Sequence, residues 1–411
     1  MLSAPIQLYK KAYSGLSRNS WYLCLVMFIN RSGTMVIPFM SIYCNKELHF
    51  SVEQAGYIMG IFGAGSIAGA FTGGRITDRY GFYYMQFGAL LVGGLLFFLL
   101  GLQTSFLSLG IVSFIQSFCN ESFRPANSTA IAFYSNDENK TRSYSLNRLA
   151  VNLGWAFGGL LGGTLAAINY HLLFWVDGST NILAALLLLK LIPYSKVGNP
   201  VKKVAHAVRE SAYKDGICLT FIALAILFAS CFFQLFSMQS LFYKTQWHFS
   251  EQFIGMLMGV NGLLIVCFEM IIIHNLEGKR HPLQYISIGV VLVGAGFVLL
   301  NFLPAAYYAS FIVVIFVTIG EIMAMPFMNS FWISRTNENN RGEYAALYTI
   351  AWSIAQIFGP VTGGVIAAHW GYNPLWFSVG IVSLIAAVGF RLLYNSIAKR
   401  KTIVAIEETV F

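Results

Sequence analysis

Residues 80–120 read YGFYYMQFGALLVGGLLFFLLGLQTSFLSLGIVSFIQSFCN, and none of them is Asp, Glu, Lys or Arg. The same absence of charge recurs over residues 281–320 and 344–390. A transmembrane α-helix needs about 20 mostly apolar residues, so each stretch is long enough for two crossings. Turn-forming residues divide each stretch near its middle, as at Gln103-Thr104-Ser105 in the first. These segments predict a helical protein that crosses the membrane many times.

The composition of the whole chain agrees with this interpretation. Of 411 residues, 57% are hydrophobic and 10% are charged, whereas soluble proteins carry about 25% charged residues. The net charge of +9 does not indicate nucleic-acid binding, because no basic stripe with interleaved aromatic residues is present. The six cysteines form no CxxC pair, so we predict neither a disulfide framework nor a metal site, and no cofactor.

The apolar runs predict an all-α membrane protein with twelve transmembrane helices. The predicted crossings are 20–43, 53–74, 83–102, 106–134, 144–168, 173–192, 217–243, 251–273, 283–302, 306–334, 345–368 and 374–396. We expect two six-helix bundles, over residues 20–192 and 217–396, joined by a basic linker at 193–216. Residues 1–19 and 397–411 form the terminal segments.

Lys and Arg are concentrated in the loops on one side of this arrangement. The outer loops contain only Lys46 and Lys244, and cationic loops are retained in the cytoplasm. The sequence therefore predicts an integral protein of the plasma membrane, which in bacteria is the inner membrane, with both termini in the cytoplasm. The first apolar run has no cleavage site directly after it, so we expect it to remain as a membrane anchor.

The two halves of the chain share a pattern of residues with a period of about 200. The matched positions are His49-Phe50-Ser51 with His248-Phe249-Ser250, Gly60 with Gly259, Arg79 with Arg280, Glu121 with Glu321, Pro125 with Pro326, Glu138-Asn139 with Glu338-Asn339, and Gly158, Gly162 and Gly163 with Gly359, Gly363 and Gly364. Since each half has six crossings, both start on the same side of the membrane. This predicts a parallel pseudo-two-fold repeat, an arrangement typical of secondary transporters with a central substrate site.

The loop after the second crossing reads Gly74-Arg75-Ile76-Thr77-Asp78-Arg79-Tyr80-Gly81. It resembles the G-x-x-x-D-R-x-G signature of the major facilitator superfamily, and the resemblance extends over essentially the whole chain. In that family the loop is a latch between the two halves, which implies a conformational role for Gly74, Asp78, Arg79 and Gly81. Phe82, Tyr83 and Tyr84 stand where the family has basic residues.

The fifth crossing contains a run of glycines, Gly154, Gly158, Gly159, Gly162 and Gly163. Their spacing is similar to a G-x-x-x-G-P-x-x-G-G motif of antiporters in the same superfamily, with Gly159 in place of proline. The eleventh crossing repeats the pattern as Gly359, Pro360, Gly363 and Gly364. Glycines at this spacing allow helices to pack closely, so ordinary packing and an antiport-specific role both stay open.

Four ionisable residues lie well inside the predicted crossings: Arg31, Glu121, Arg124 and Glu321. A charge at the bilayer centre costs about 2.5–3.5 kcal/mol on insertion scales, so such residues are functional candidates. The resemblance places all four on helices that line the family's central cavity. Glu121 and Arg124 are three residues apart and could neutralise each other. The resemblance instead implies a role in proton transfer for Arg124, because the family has an arginine linked to proton transfer near this position of helix 4.

We hypothesise that Glu321 pairs with Arg31 when unprotonated and releases it when protonated. Uncharged polar residues near these ions are candidates for substrate contacts or for hydrogen bonds between helices. They are Asn30, Gln116, Asn120, Asn127, Gln234, Gln239 and Asn329.

Three functions are compatible with these patterns. The glycine motif and the aromatic-rich crossings favour proton-coupled efflux of a drug or metabolite. Arg31 and Arg124 could instead bind a carboxylate, which would suit proton-coupled uptake of an amino acid, a peptide, another nutrient or a siderophore. An enzyme or sensor is disfavoured because no catalytic constellation is visible. We expect a monomer whose partners are a small-molecule substrate, protons and membrane lipid.

Overall fold

The computed structural model describes residues 15–136, 139–194, 212–276, 278–336 and 341–410, without the side chains of 78, 140–141, 341–342 and 400–410. Over these ranges the chain is α-helical and contains no β-strand. The helices are α1 (Arg18–Ser32), α2 (Val36–Lys46), α3 (Val52–Tyr80), α4 (Phe82–Leu100), α5 (Phe106–Glu121), α6 (Phe123–Phe133), α7 (Lys140–Ile168), α8 (His171–Leu191), α9 (Gly216–Phe232), α10 (Met238–Thr245), α11 (Glu251–Leu276), α12 (Pro282–Leu299), α13 (Tyr307–Ser334), α14 (Arg341–Trp370) and α15 (Tyr372–Val410). Short 3₁₀ helices lie at Ala212–Lys214 and Phe233–Leu235.

Eleven helical segments in the described ranges are long and apolar enough to cross a membrane, and each coincides with a predicted crossing. The first, Arg18–Lys46, consists of α1 and α2, and the seventh predicted crossing corresponds to Gly216–Thr245. The fourth predicted crossing, 106–134, is the exception, because it is divided at Ser122 and its central residues are polar. We number the crossings as spans 1 to 12 and keep the α5–α6 pair as span 4. The prediction of an all-α membrane fold is confirmed.

The described part of the chain forms two compact units. The first contains the described residues of Met1–Lys202 together with His248–Val266, and the second contains those of Lys203–Trp247 and Cys267–Phe411. Residues 248–266, which the sequence boundaries assign to the second bundle, thus pack with spans 1 to 6. The predicted segment 1–19 and linker 193–216 fall mostly on residues 1–14 and 195–211, outside the described residues.

Two segments of the proposed repeat share an unusual backbone conformation. His49 and His248 have φ angles of 56° and 54°, and they are the two non-glycine residues with positive φ in the described ranges. Such angles are uncommon for residues with a Cβ atom. Each histidine lies two residues before the serine that precedes the next span. The two matching sequence segments therefore share the same local backbone structure. This observation supports the predicted repeat.

A stripe of glycines holds span 2 against span 4. Added Cβ atoms at Gly65, Gly69 and Gly73 would collide with backbone atoms of span 4, including the Ser122 Cα atom 2.7 Å from the one at Gly73. Spacings of four residues place these glycines on one face of the helix. The two backbones therefore approach closely, and the closest part of this contact includes Ser122, where span 4 is divided.

Candidate functional site

Span 1 is interrupted between Ser32 and Val36, in the middle of the first unit. The amide of Thr34 donates to the Arg31 carbonyl (3.1 Å) and the amide of Met35 donates to the Gly33 carbonyl (2.9 Å), which replaces the regular helical pattern. A Cβ atom at Gly33 would collide with the side chain of Thr180 in span 6. Arg31 is thereby placed at the carboxyl end of α1, where a positive charge is favourable.

Span 6 supplies polar groups that hold this interruption. The Asp177 carboxylate accepts hydrogen bonds from the amides of Met35 (3.0 Å) and Val36 (2.9 Å). Asn30 donates through its Nδ2 atom to the Asn181 Oδ1 atom at 2.8 Å. Asp177 and Asn181 are buried, so the interruption is stabilised inside the bundle rather than by solvent.

The glycines of span 5 pack against the other side of the interruption. A Cβ atom at Gly154 would lie 2.5 Å from the Arg31 Cβ atom, and one at Gly158 would lie 3.2 Å from the Ser32 carbonyl oxygen. Gly162 faces Met35 in the same way, at 3.1 Å. The predicted glycine motif therefore helps to position the backbone that carries Arg31.

The same helix uses a second pair of glycines on a different face. A Cβ atom at Gly163 would lie 2.5 Å from the Glu251 carbonyl oxygen, and one at Gly159 would lie 2.8 Å from the Met258 Cβ atom. Both neighbours belong to α11, in its part that packs with the first unit. One motif thus serves two helix contacts, and Gly159 makes a contact at the position where the antiporter motif has proline.

Three charged side chains meet between spans 1 and 4. The Glu121 Oε1 atom lies 3.5 Å from Arg31 Nη1, and its Oε2 atom lies 2.9 Å from Arg124 Nη2. The side chains of Arg31 and Glu121 are 7% and 6% exposed, whereas that of Arg124 is 62% exposed. One carboxylate is therefore shared by two guanidinium groups, and we call these residues the charged triad.

The contact of Arg31 with Glu121 lies within the first bundle and adds to the expected ion pairing. The hypothesised pairing of Arg31 with Glu321 joins the two bundles and stays a prediction. The expected local contact between Glu121 and Arg124 is present, although the helix is divided at the intervening Ser122. Glu321 is half-buried in span 10, in the second unit.

A polar stripe of buried side chains lies along α5 next to the triad. Ser113, Gln116 and Asn120 are 0%, 0% and 7% exposed. The Ser113 hydroxyl, both polar atoms of the Gln116 amide and the Asn120 Oδ1 atom have no hydrogen-bond partner among the described residues. Buried polar atoms of this kind mark places where water or a polar ligand group can bind.

The other polar candidates mostly make contacts within their own bundle. Asn127 accepts from Gln86 Nε2 (3.1 Å) and donates to Asn147 Oδ1 (3.0 Å), which links three helices. In the second unit, Gln239 donates to the Tyr243 hydroxyl at 3.1 Å. The remaining candidate, Asn329, accepts from Trp332 Nε1 at 3.2 Å. The Asn127 contacts join neighbouring helices, whereas the Gln239 and Asn329 contacts lie within single helices.

Residues 23–360 match the sequence profile of the Major Facilitator Superfamily. The chain belongs to the major facilitator superfamily. It is accordingly an integral membrane transporter of small molecules and not an enzyme, as predicted.

Similarity to individual members of the superfamily extends over nearly the whole chain. A Na(+), Li(+), K(+)/H(+) antiporter of Planococcus maritimus is 23% identical, over 91% of this chain and 95% of its own. Multidrug resistance protein 1 of Bacillus subtilis is 22% identical, over 89% and 93%. The crystal structure of a POT family transporter in complex with 5-aminolevulinic acid has a TM-score of 0.79, with 16% identity over 94% of this chain and 98% of that one. This likeness establishes a shared fold.

The segment that resembles the superfamily signature was expected to be a loop, but residues 74–80 are helical because α3 continues to Tyr80, and the sharp turn between spans 2 and 3 lies at Gly81. Gly81 ends α3 with φ 89° and directly precedes α4, a conformation that favours glycine over other residues. A Cβ atom at Gly74 would contact only Pro125 Cβ, at 3.9 Å. The Arg79 guanidinium lies over the Tyr80 ring. The side chain of Asp78 lies outside the described residues, so its latch role stays a prediction.

The second glycine motif of this transporter packs against the interrupted span 7. A Cβ atom at Gly359 would lie 2.8 Å from the Ser230 carbonyl oxygen, and one at Gly363 would collide with the Gln234 amide. The Gln234 Nε2 atom donates to the Gly359 carbonyl at 2.6 Å. Pro360 lies within α14 without ending it. Matching glycines thus contact matching interruptions in the two bundles.

The sequence interpretation missed one buried ion in the first bundle, Asp177. It lies within the predicted crossing 173–192 and is 0% exposed. The rule that selected Arg31 and Glu321, an ionisable residue inside an apolar run, applies to it equally. Only the structure links Asp177 to span 1, since 141 residues separate it from Val36.

Proposed function

We propose that this transporter exports a small molecule in exchange for protons by alternating access, and that Glu121 is the proton-binding group. The observation that supports this most is the charged triad, in which one nearly buried carboxylate is shared by Arg31 and Arg124. Charged side chains buried in a membrane protein cost free energy, and such residues are usually retained for function. Glu321, at the matching position in the second half, is the second candidate for proton binding.

The proposed exchange follows from the charges in the triad. While Glu121 is ionised, it offsets one of the two guanidinium charges. When it takes up a proton, both arginines keep their charge and lose their anionic partner, and Arg31 is then a buried cation without compensation. That state is relieved when the proton is released again or when the bundle rearranges. Proton binding can therefore drive a conformational change, since it alters the free energy of one arrangement more than that of another.

Export is supported by three further observations. Two of the similar proteins are described as a cation/H(+) antiporter and as a multidrug resistance protein. The glycines of span 5 position Arg31 and thus connect the motif to the triad. The unpartnered amide of Gln116 adds a polar group that a ligand could contact. We further propose the plasma membrane as the location, both termini in the cytoplasm and a monomer surrounded by lipid.

Proton-coupled uptake of a carboxylate is the second candidate. The side chain of Arg124 is 62% exposed although it lies in span 4. An arginine can bind a carboxylate through two parallel hydrogen bonds. A substrate carboxylate could therefore compete with Glu121 for Arg124, and an amino acid, a peptide or a siderophore would carry that group.

The test uses purified protein in liposomes with a pH-sensitive dye trapped inside and an imposed pH gradient. We expect ethidium, as a probe of drug efflux, to move against its gradient together with protons in the opposite direction. The Glu121→Gln variant should lose proton-driven movement and keep exchange of labelled for unlabelled probe. Glu53→Gln is the matched control. Glu53 lies at the start of span 2, where its carboxylate accepts a hydrogen bond from the Tyr57 hydroxyl of the same helix.

The outcomes separate the two candidates. Proton-linked accumulation of radiolabelled glutamate or of a dipeptide, without ethidium movement, would replace export by uptake. Full proton-driven activity in Glu121→Gln would exclude Glu121 as the proton-binding group, and the same experiment on Glu321→Gln would then decide on the second candidate.

A further inference from the structure

Asp177 caps the second half of span 1 from another helix. Its Oδ1 and Oδ2 atoms lie 3.0 and 3.1 Å from the Met35 amide nitrogen, and Oδ2 lies 2.9 Å from that of Val36. Both amides belong to the amino end of α2, where the first N–H groups have no partner within the helix. Met35 occupies the cap position and its own side chain makes no capping hydrogen bond. The carboxylate of span 6 therefore performs the function that a local Ser or Asp usually performs.

Its surroundings contain little other charge. The titratable or charged residues on the four helices that pack against α8 are Arg18, Tyr22, Cys24 and Arg31 on α1, Tyr43, Cys44 and Lys46 on α2, Tyr83 and Tyr84 on α4, and Lys140, Arg142, Tyr144 and Arg148 on α7. All except Arg31 lie roughly two helical turns or more from the interruption along their own helices. Arg31 is paired with Glu121. Among the described residues, no basic side chain forms a salt bridge with Asp177.

Two opposing effects act on this carboxyl group. Its complete burial favours the neutral form, because a buried charge loses its hydration. The three N–H contacts and the positive end of the α2 dipole favour the ionised form. The hydrogen bonds therefore offset part of the free-energy cost of burying the ionised form. If a proton binds, one oxygen becomes a hydroxyl donor and the amides of Met35 and Val36 compete for fewer acceptor sites.

We propose that Asp177 is a positioning residue whose protonation loosens the interruption of span 1 and thereby shifts Arg31 relative to Glu121. This inference rests on the proposed proton coupling and adds a second proton-sensitive group to it. One proton binds to the carboxylate and leaves again when the contacts reform, so no other bond is made or broken. Arg31 follows the interruption because it lies close in sequence to Met35 and Val36, whose amides the carboxylate holds.

Hydrogen exchange of the full-length protein in lipid nanodiscs, followed by mass spectrometry, tests this directly. The measured quantity is the protection of residues 33–38, corrected for the intrinsic pH dependence of exchange, from about pH 8 to about pH 5. In the wild type we expect protection to fall about tenfold as the pH decreases. In Asp177→Asn we expect low protection at every pH. Protection that is independent of pH in the wild type, or as high in Asp177→Asn, overturns the inference.

Asn181→Ala is the matched control. It removes the contact with Asn30 at the same depth and leaves the carboxyl group in place. We expect it to lower protection at all pH values and to keep the wild-type pH dependence, whereas a flat profile in this variant would contradict the role of Asp177. The wild-type profile needs no variant, so the inference stays testable even if Asp177→Asn does not fold.

Transport measurements on the same preparations separate this inference from the proposed function. A proton-driven wild type whose Asp177→Asn variant has an altered pH profile of transport supports both. If the wild type moves no protons but its exchange depends on pH as described, proton-coupled export fails and the role of Asp177 in span 1 stands. Proton-driven transport with an unchanged pH profile in Asp177→Asn overturns the coupling role.

Discussion

The first span of each bundle begins with a capping residue that also reaches the end of the fourth span of the same bundle, but the two caps differ in charge. Ser17 accepts from the Ser20 amide (3.1 Å) and donates to the Tyr134 carbonyl (2.8 Å). Asp215 accepts from the amides of Ile217 and Cys218 (3.0 and 3.2 Å) and from Arg335 Nε (2.8 Å). The connection is therefore neutral in the first bundle and ionic in the second.

Inside the membrane the distribution of charge is reversed. The interruption of span 1 carries Arg31, which contacts Glu121. At the matching interruption of span 7, Gly359 packs on Ser230. The neutral Gln234 side chain donates a hydrogen bond to the Gly359 carbonyl. The same arrangement of helices thus places an ion pair at the interruption in the first half and a neutral hydrogen bond at the interruption in the second. A charge inside the membrane is costly, so we propose the charged triad of the first bundle as the first candidate for function and Glu321 of the second bundle as the next.

The largest expected effect comes from removing the acceptor in the membrane. Glu121→Leu leaves Arg31 buried without its partner, and loss of one member of a buried pair costs about 3–5 kcal/mol. Gln234→Leu removes one neutral hydrogen bond from the second bundle and should cost about 1 kcal/mol. Thermal unfolding in detergent measures both.

A double variant distinguishes charge from packing at this site. Arg31→Met combined with Glu121→Leu removes the unpaired cation and should recover part of the lost stability. If Glu121→Leu costs no more than Gln234→Leu, the asymmetry between the bundles has no energetic basis.

The next effect concerns the glycines beside the two interruptions. The match of Gly158 with Gly359 aligns Gly154 with Ala355, which is 0% exposed. Because a Cβ atom at Gly154 would lie 2.5 Å from Arg31 Cβ and 2.9 Å from its carbonyl carbon, Gly154→Ala should cost about 1–3 kcal/mol. Ala355→Gly should cost only about 1 kcal/mol, through helix propensity and lost contacts.

Transport activity provides a second comparison of the two interruptions. Gly154→Ala should reduce proton-driven transport more than Ala355→Gly when both are measured at a temperature where each variant is folded. Equal losses of transport would show that the first interruption is no more sensitive than the second.

The sequence contained most of the fold because membrane insertion depends on local composition. Eleven crossings follow directly from the apolar runs. The fourth crossing is predicted only if the polar residues around Glu121 are included in a helix. The pairing of Arg31 could not be obtained in this way. Two glutamates, Glu121 and Glu321, occupy matching positions in the repeat, so periodicity alone does not distinguish them. The contact of Arg31 with Glu121 depends on how span 1 meets span 4, and 90 residues separate the two side chains in the sequence.

The capping residues should differ less than the interior groups. Ser17→Ala removes one N–H acceptor and is expected to cost about 1 kcal/mol, as typical caps do. Asp215→Ala should cost more than Ser17→Ala, because it also leaves Arg335 without its carboxylate. Chemical unfolding at neutral pH measures this difference. An equal cost in both variants would mean that the ionic contact of Asp215 adds nothing to the cap.

The smallest expected effect is the pH dependence of stability that arises from Asp215 in the second bundle. Partial burial raises the pKa of Asp215, but hydrogen bonds from Arg335 and Tyr344 outweigh it and leave the pKa below its usual value. A carboxyl group with a lowered pKa in the folded state stabilises the protein fully above the unfolded value of about 3.9. This contribution is lost as the pH falls through the folded-state pKa.

The difference in Tm between wild type and Asp215→Asn should therefore shrink on acidification below about pH 4. Asn retains the cap, so the variant isolates the charge. For Ser17→Ala the difference should stay constant, since a hydroxyl does not titrate, and a parallel decline in that variant would show that the pH effect arises elsewhere.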